Sequence, residues 1–197
     1  MAEIILAKTA GFCFGVDRAV KTVTGLLDAG KRVATLGPII HNPQLVSELE
    51  SRGTRIVSSP SAIEEGETLV IRSHGVPRAV TDEVERLKVD YIDATCPFVA
   101  KIHKIVADAG DNGRTVLIAG DPEHKEVVGI VGHCKGANFV FGDEQALEAL
   151  VKNGTLKDDT PVTAVSQTTF NLDLWKKCQK TLKKVYTNAI IFDTICN

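Results

Sequence analysis

Short apolar runs alternate along the whole chain with longer stretches in which apolar residues return every three or four positions. Val16, Val20, Val23 and Leu27 form one helical stripe, Phe98, Ile102, Ile105 and Ala109 a second, and Trp175, Cys178, Leu182 and Val185 a third. The first half reads as helix 15–29, strand VATL at 33–36, loop GPIIHNP, helix 44–52, strand RIV, a short acidic turn, strand TLVIR, loop SHGVP, helix 78–88 and strand YIDATC. From Pro97 the order returns: helix 97–109, strand TVLIAG, loop GDPEHKE, helix 125–132, strand NFVFG, helix 144–152, strand VTAVS, loop QTT, helix 172–186 and strand AIIFDTIC. Asn42 before Pro43 and Ser59 before Pro60 each place a capping side chain ahead of a first-turn proline.

Every element of the first copy has a counterpart in the second. His41 and His124 occupy matching loops 83 residues apart, and DATC and DTIC end matching strands 100 residues apart. Strands alternating with amphipathic helices predict right-handed βαβ units, hence an α/β fold of repeated three-layer modules with mostly parallel sheets. The copies meet at Cys96 and Pro97 with no Ser-, Pro- or Gly-rich linker between them. IILAKTAGFC precedes the first helix as YIDATC precedes the second. Residues 1–13 therefore read as a strand of a third module, 14–96 and 97–192 as the first and second modules, and 193–197 as the start of the third. A chain ending at Asn197 is then expected to lack most of that third module.

The 197 residues carry 44% hydrophobic and 24% charged side chains, ordinary globular usage that argues against a disordered or fibrous chain. With 23 Lys plus Arg against 25 Asp plus Glu and no basic run longer than a pair, nucleic acid is not an expected partner. No stretch has the length and apolarity of a membrane span, and MAEIILAKTAGF is too short in its apolar part for a signal core, so the expected compartment is the cytoplasm.

Five cysteines with no C-x-x-C pair fit neither a disulfide framework nor a zinc ribbon. The repeat makes Cys13, Cys96 and Cys196 equivalent, each at the C-terminal end of a predicted strand, where parallel sheets gather ligands. A helix N-terminus favours the thiolate, the metal-binding form. Thiolates without carboxylates suit an iron–sulfur cluster, zinc or copper, and three of them on a four-iron cube leave one iron open. Cys178, on an apolar helix stripe, reads as core, and Cys134 has no counterpart in the first copy.

His41, His74 and His124 all follow strands and precede helices, positions from which imidazoles and helix N-termini can bind a phosphate, so a diphosphate is the expected ligand. Neither G-x-x-x-x-G-K-[ST] nor G-x-G-x-x-G occurs. Glu126, two residues beyond His124, is the candidate proton donor, and Thr168 in SQTT offers a hydroxyl. His103 and His133 read as surface polar groups. On the residues alone three readings remain: a cluster-bearing reductase, a non-catalytic redox or metal-binding module, and a diphosphate- or sugar-binding protein with incidental cysteines.

Together GFCFGVDRAV, GPIIHNPQLV, SHGVP, DATCPFV, GDPEHKEVVG, SQTT and DTIC resemble the 4-hydroxy-3-methylbut-2-enyl diphosphate reductase family, across essentially the whole chain. The resemblance implies three α/β modules in pseudo-threefold arrangement round a 4Fe-4S cluster held by Cys13, Cys96 and Cys196. It further implies that His41, His74, His124 and Thr168 contact a small allylic diphosphate substrate and that Glu126 serves a proton relay. Isopentenyl and dimethylallyl diphosphate would be the products, and a ferredoxin or flavodoxin the electron donor. The family continues after its third cysteine with a Ser-x-Asn segment and a later serine, which this sequence does not contain.

Overall fold

The alternation within each strand is buried on both sides of two parallel sheets. The computed structural model describes residues 5, 7, 10–154 and 156–196. In β1 (Arg32–Leu36), Val33 packs with the layer formed by α1 (Phe14–Asp28) and α2 (Pro43–Ser51), while Ala34 and Leu36 pack with α3 (Arg78–Leu87) on the opposite face. Strand β3 (Glu67–Ile71) divides in the same way, Val70 to one layer and Leu69 and Ile71 to the other. With β2 (Arg55–Val57) and β4 (Tyr91–Asp93) they form a four-stranded sheet in the order β2-β1-β3-β4, all parallel.

The second sheet repeats this construction. Its strands β5 (Thr115–Ala119), β6 (Asn138–Phe141), β7 (Val162–Ser166) and β8 (Ile190–Ile191) lie in the order β6-β5-β7-β8. Val116 and Ile118 face α4 (Pro97–Asp111) and α5 (Lys125–Val131); Leu117 and Ala119 face α6 (Glu144–Lys152) and α7 (Leu172–Val185). Register is duplicated as well: Arg32 pairs with Glu67 and Leu36 with Ile71, just as Thr115 pairs with Val162 and Ala119 with Ser166. Both faces of each sheet are covered, the arrangement parallel strands require.

The helix and strand limits predicted from periodicity fall within a few residues of those observed, and the structural differences have local causes. Asn42 caps α2 as expected, its side chain accepting from the Leu45 amide at 3.0 Å. Ser59 makes no such bond; the segment Pro60–Ala62 is a single 3-10 turn, and the Ser59 hydroxyl sits 2.9 Å from that of Ser61. The expected strand 189–196 keeps its ladder only at Ile190–Ile191, because the Thr194 hydroxyl then takes the place of a backbone acceptor for the Ser166 amide, at 2.8 Å. The strand expected within residues 1–13 falls largely on 1–4, 6, 8 and 9, and Asn197 likewise lies outside the described residues. His103 and His133 are not surface groups: they stack on each other with centroids 4.0 Å apart, His103 only 8% exposed.

Cys178 is fully buried, beside Trp175 and Leu182, on the face of α7 that covers the second sheet. Trp175, 1% exposed, also donates its indole N–H to Asp193 at 3.3 Å, joining α7 to the segment beyond β8. Removing so large a buried ring leaves a void the layer cannot close, so Trp175→Ala is expected to lower the unfolding free energy by about 3–5 kcal/mol in urea denaturation.

Candidate active site

The strand order puts a crossover reversal between β1 and β3 and another between β5 and β7, and open α/β sheets bind ligands outside the C-terminal ends of strands at such points. The loops leaving those four strands carry His41, His74, His124 and Thr168 in turn. Cys96 follows β4 and Cys196 follows β8. All eight residues singled out from the sequence, Cys13, His41, His74, Cys96, His124, Glu126, Thr168 and Cys196, line one cavity of about 180 Å³. A larger cavity, about 450 Å³, opens at the N-terminal ends of the first sheet between Lys31, Glu64 and Asp90 and contains none of them.

Each cysteine is held by its own backbone. The Cys96 amide donates to Ser73 O at 2.9 Å, and the Cys196 amide to Thr168 O at 2.8 Å, in both cases a residue two positions past the neighbouring strand. Arg18 of α1 donates to Thr95 O at 2.9 Å and to Asp93 O at 3.2 Å, tying the first helix to the peptide preceding Cys96. Gly15 completes that junction: a Cβ there would stand 2.9 Å from Cys96 Cβ and closer still to its sulfur. Cys13 and Cys96 occupy the N-cap positions of α1 and α4 with neither thiol spent on capping. Burial raises the Cys196 thiol above its ordinary range, and the neighbouring Cys96 and Cys13 sulfurs raise it further.

The imidazoles form a triangle. Ring centroids lie 4.2 Å apart for His41 and His74, 5.4 Å for His41 and His124, and 5.9 Å for His74 and His124. His74 is held down to about 4 by burial first and then by His41, His124 and the Arg72 guanidinium; His41 is lowered by burial, His124, Arg72 and Lys125. The His74 Nδ1 is buried without a partner among the described residues, a donor or acceptor kept free. His124 spends its Nδ1 accepting the Glu126 amide at 3.1 Å, which places the ring proton on Nε2 as a donor.

Glu126 is 2% exposed, and its carboxylate accepts the Thr168 amide at 2.6 Å and the Thr168 hydroxyl at 2.7 Å. Periodicity could not reveal this pair, since its members stand 42 residues apart. Ser73 and Thr169 also line the cavity and were not singled out, although SHGVP and SQTT contain them. Arg72 was missed too. Its Nη1 donates to Leu36 O at 3.0 Å, and Gly37, at φ +72, leaves room for it where a Cβ would stand 2.6 Å from that nitrogen.

A profile of the LytB protein family matches residues 4–197. The chain belongs to the LytB family. Among relatives of this LytB chain, the 4-hydroxy-3-methylbut-2-enyl diphosphate reductase of Thermoanaerobacter sp. strain X514 is 38% identical over 200 residues, covering 99% of the chain and 67% of the relative. The reductase of Geobacter metallireducens is 38% identical over 195 residues, with the same coverages. A solved structure of the (E)-4-hydroxy-3-methyl-but-2-enyl diphosphate reductase, described as the terminal enzyme of the non-mevalonate pathway, superposes with a TM-score of 0.82 at 36% identity, over 100% of the LytB chain and 69% of that structure. The Plasmodium falciparum reductase shares the fold at a TM-score of 0.87 and 24% identity, over 96% of the chain and 59% of its own length.

The low proton affinity of His74 has a consequence for stability. Unfolded, the ring binds a proton near 6.5; folded, near 4, so between these values the unfolded chain holds more protons and stability falls as pH falls. Urea unfolding at pH 7 and pH 5 should show the parent chain losing roughly 2 kcal/mol more than His74→Gln over that interval.

Proposed function

We propose that this chain carries out the reaction for which its relatives are named: reductive dehydroxylation of 4-hydroxy-3-methylbut-2-enyl diphosphate to isopentenyl and dimethylallyl diphosphate. The observation that carries this reading is the meeting of three thiols, three imidazoles and the Glu126–Thr168 pair on one cavity at the C-terminal ends of both sheets. Cys13, Cys96 and Cys196 would hold a 4Fe-4S cluster. What supports it is that the three thiols line one cavity, with the Cys96 and Cys13 sulfurs near enough to Cys196 to raise its thiol, and that thiolates without carboxylates suit an iron–sulfur cluster. When bound, the cluster supplies electrons and a Lewis-acidic iron with no protein ligand.

The diphosphate lies among His41, His74 and His124. His124 donates from Nε2, and the unpartnered Nδ1 of His74 gains the partner that its burial otherwise denies it. A dianion beside lowered imidazoles draws protons onto them, converting neutral contacts into charge-assisted ones. The reaction consumes two electrons and two protons: the C–O bond breaks as one proton joins the departing hydroxyl to make water, and the second forms a C–H bond at an allylic carbon of the product. Thr168 presents its hydroxyl at the cavity and is backed by Glu126, so a proton held at Glu126 Oε2 passes through Thr168 Oγ1 to the leaving oxygen. Phe98 and the buried Val99 supply apolar wall beside those donors.

A ferredoxin or flavodoxin delivers the electrons, and the reaction takes place in the cytoplasm; among the described residues no helix is long and apolar enough to cross a membrane. Residues 14–96 and 97–192 act as the two modules that close on the site. The test is anaerobic reconstitution followed by iron and sulfide analysis and a reductase assay. Cys96→Ser should lose most of the bound iron. Glu126→Gln should keep the iron and the substrate affinity but lower kcat by about 10²-fold or more. Turnover undiminished in Glu126→Gln would remove it from the proton path, and full iron content in Cys96→Ser would sink the cluster assignment.

A further inference from the structure

His103 on α4 and His133, just past the end of α5, lie face to face with their rings 14° from parallel. Neither lines the site cavity. Burial, and then His133, hold His103 down to about 3. Burial also lowers His133, and Arg78 adds to that, against the opposing pull of the Val76 carbonyl, Asp93 and Asp82. The pair is therefore uncharged at neutral pH, and its contacts are those of shape.

Those contacts fall on the loop that carries His74. A Cβ on Gly75, which sits at φ +71, would stand 2.6 Å from His103 Cε1, and one on Gly129 of α5 would stand 3.3 Å from His103 Nε2 and 3.6 Å from the His74 carbonyl oxygen. The edge of the His103 ring thus fills the space between two glycines, one beside His74 and one on the helix that begins at His124. His133 continues the seam, its Nε2 donating to Val76 O at 3.1 Å. Beyond it the Arg78 amide donates to Gly132 O at 3.3 Å, and Pro77 Cα lies 2.7 Å from where a Gly132 Cβ would be. The buried His103 Nε2 has no hydrogen-bond partner among the described residues.

We propose that His103 and His133 are positioning residues, a stacked imidazole wedge that sets the His74 loop of the first sheet against helix α5 of the second and so fixes the spacing of His74 from His124. The loop leaves the first sheet and the helix covers the second; the loop is otherwise held at Ser73, whose amide and hydroxyl donate to Ile39 O and whose carbonyl accepts the Cys96 amide, and the wedge bears on it from the α5 side. The ligand arm of the test rests on the diphosphate reading given above; the backbone arm does not.

In His103→Ala and His133→Ala, amide hydrogen exchange across residues 73–78 should rise about tenfold while that of α6 and α7 stays as in the parent chain. Calorimetric titration with inorganic pyrophosphate should show affinity reduced about tenfold in His103→Ala, and no further reduction when His103→Ala is added to His74→Ala, because the wedge acts through that ring. Unchanged exchange at 73–78 overturns the proposal, as do losses of affinity that multiply in the double variant. If the parent chain fails to bind pyrophosphate, the diphosphate reading fails and the exchange result alone decides for or against the wedge. Should His103→Ala not fold, His133→Phe keeps the stack but removes the bond to Val76 and is expected to raise exchange at 73–78; its failure to do so counts against the proposal.

Discussion

The amide of Cys96 reaches across to the carbonyl of Ser73, and one repeat later the amide of Cys196 reaches across to Thr168. Everything at the site depends on those two bonds, because each ties the end of an outer strand to the loop leaving the central one beside it. A thiol and a substrate-facing loop are thereby placed with backbone accuracy, and the side chains need only project from it. Since Ser73 adjoins His74, and Thr168 is itself the partner of Glu126, the bond that locates each sulfur also locates the polar side chain next to it. The parallel sheets make this possible by bringing every such loop to one end.

Much of this was legible in the sequence because the duplication turns isolated residues into equivalent ones. His41 and His124, or Cys96 and Cys196, say little singly; at matched offsets in two copies of one topology they mark loops at corresponding strand ends. The element order followed from periodicity, since apolar residues on both faces of β1 and on one stripe of α7 are a direct record of what those surfaces touch. What the pattern could not show were contacts between residues distant in the chain. The Glu126–Thr168 pair, the junction of Gly15 with Cys96 and the stacking of His103 on His133 each join residues far apart in the chain, and a lone histidine carries no periodicity from which its depth can be read. Ser59 failed as a cap for a different reason: a proline at the next position suits the start of any helical turn, and here only one turn follows.

Three groups of the site, His41, His74 and Cys196, are shifted toward their uncharged forms. Burial and mutual proximity keep His41 and His74 neutral and raise the Cys196 thiol, while Arg72, the nearby cation, is committed to Leu36 O and loses part of its own proton affinity to burial. On the proposed function, such an environment would favour a pocket that receives both a cation for the sulfurs and an anion for the imidazoles.

Trp175 is the single tryptophan of the chain, and its indole N–H is anchored to Asp193, three residues before Cys196. The polypeptide therefore contains its own optical gauge. Were a strongly absorbing inorganic cluster held at Cys196 as proposed, this buried indole would transfer excitation to it, and its emission would dim on loading. Loading of the site, and any loosening of the segment that bears the last cysteine, can be followed in real time without a label.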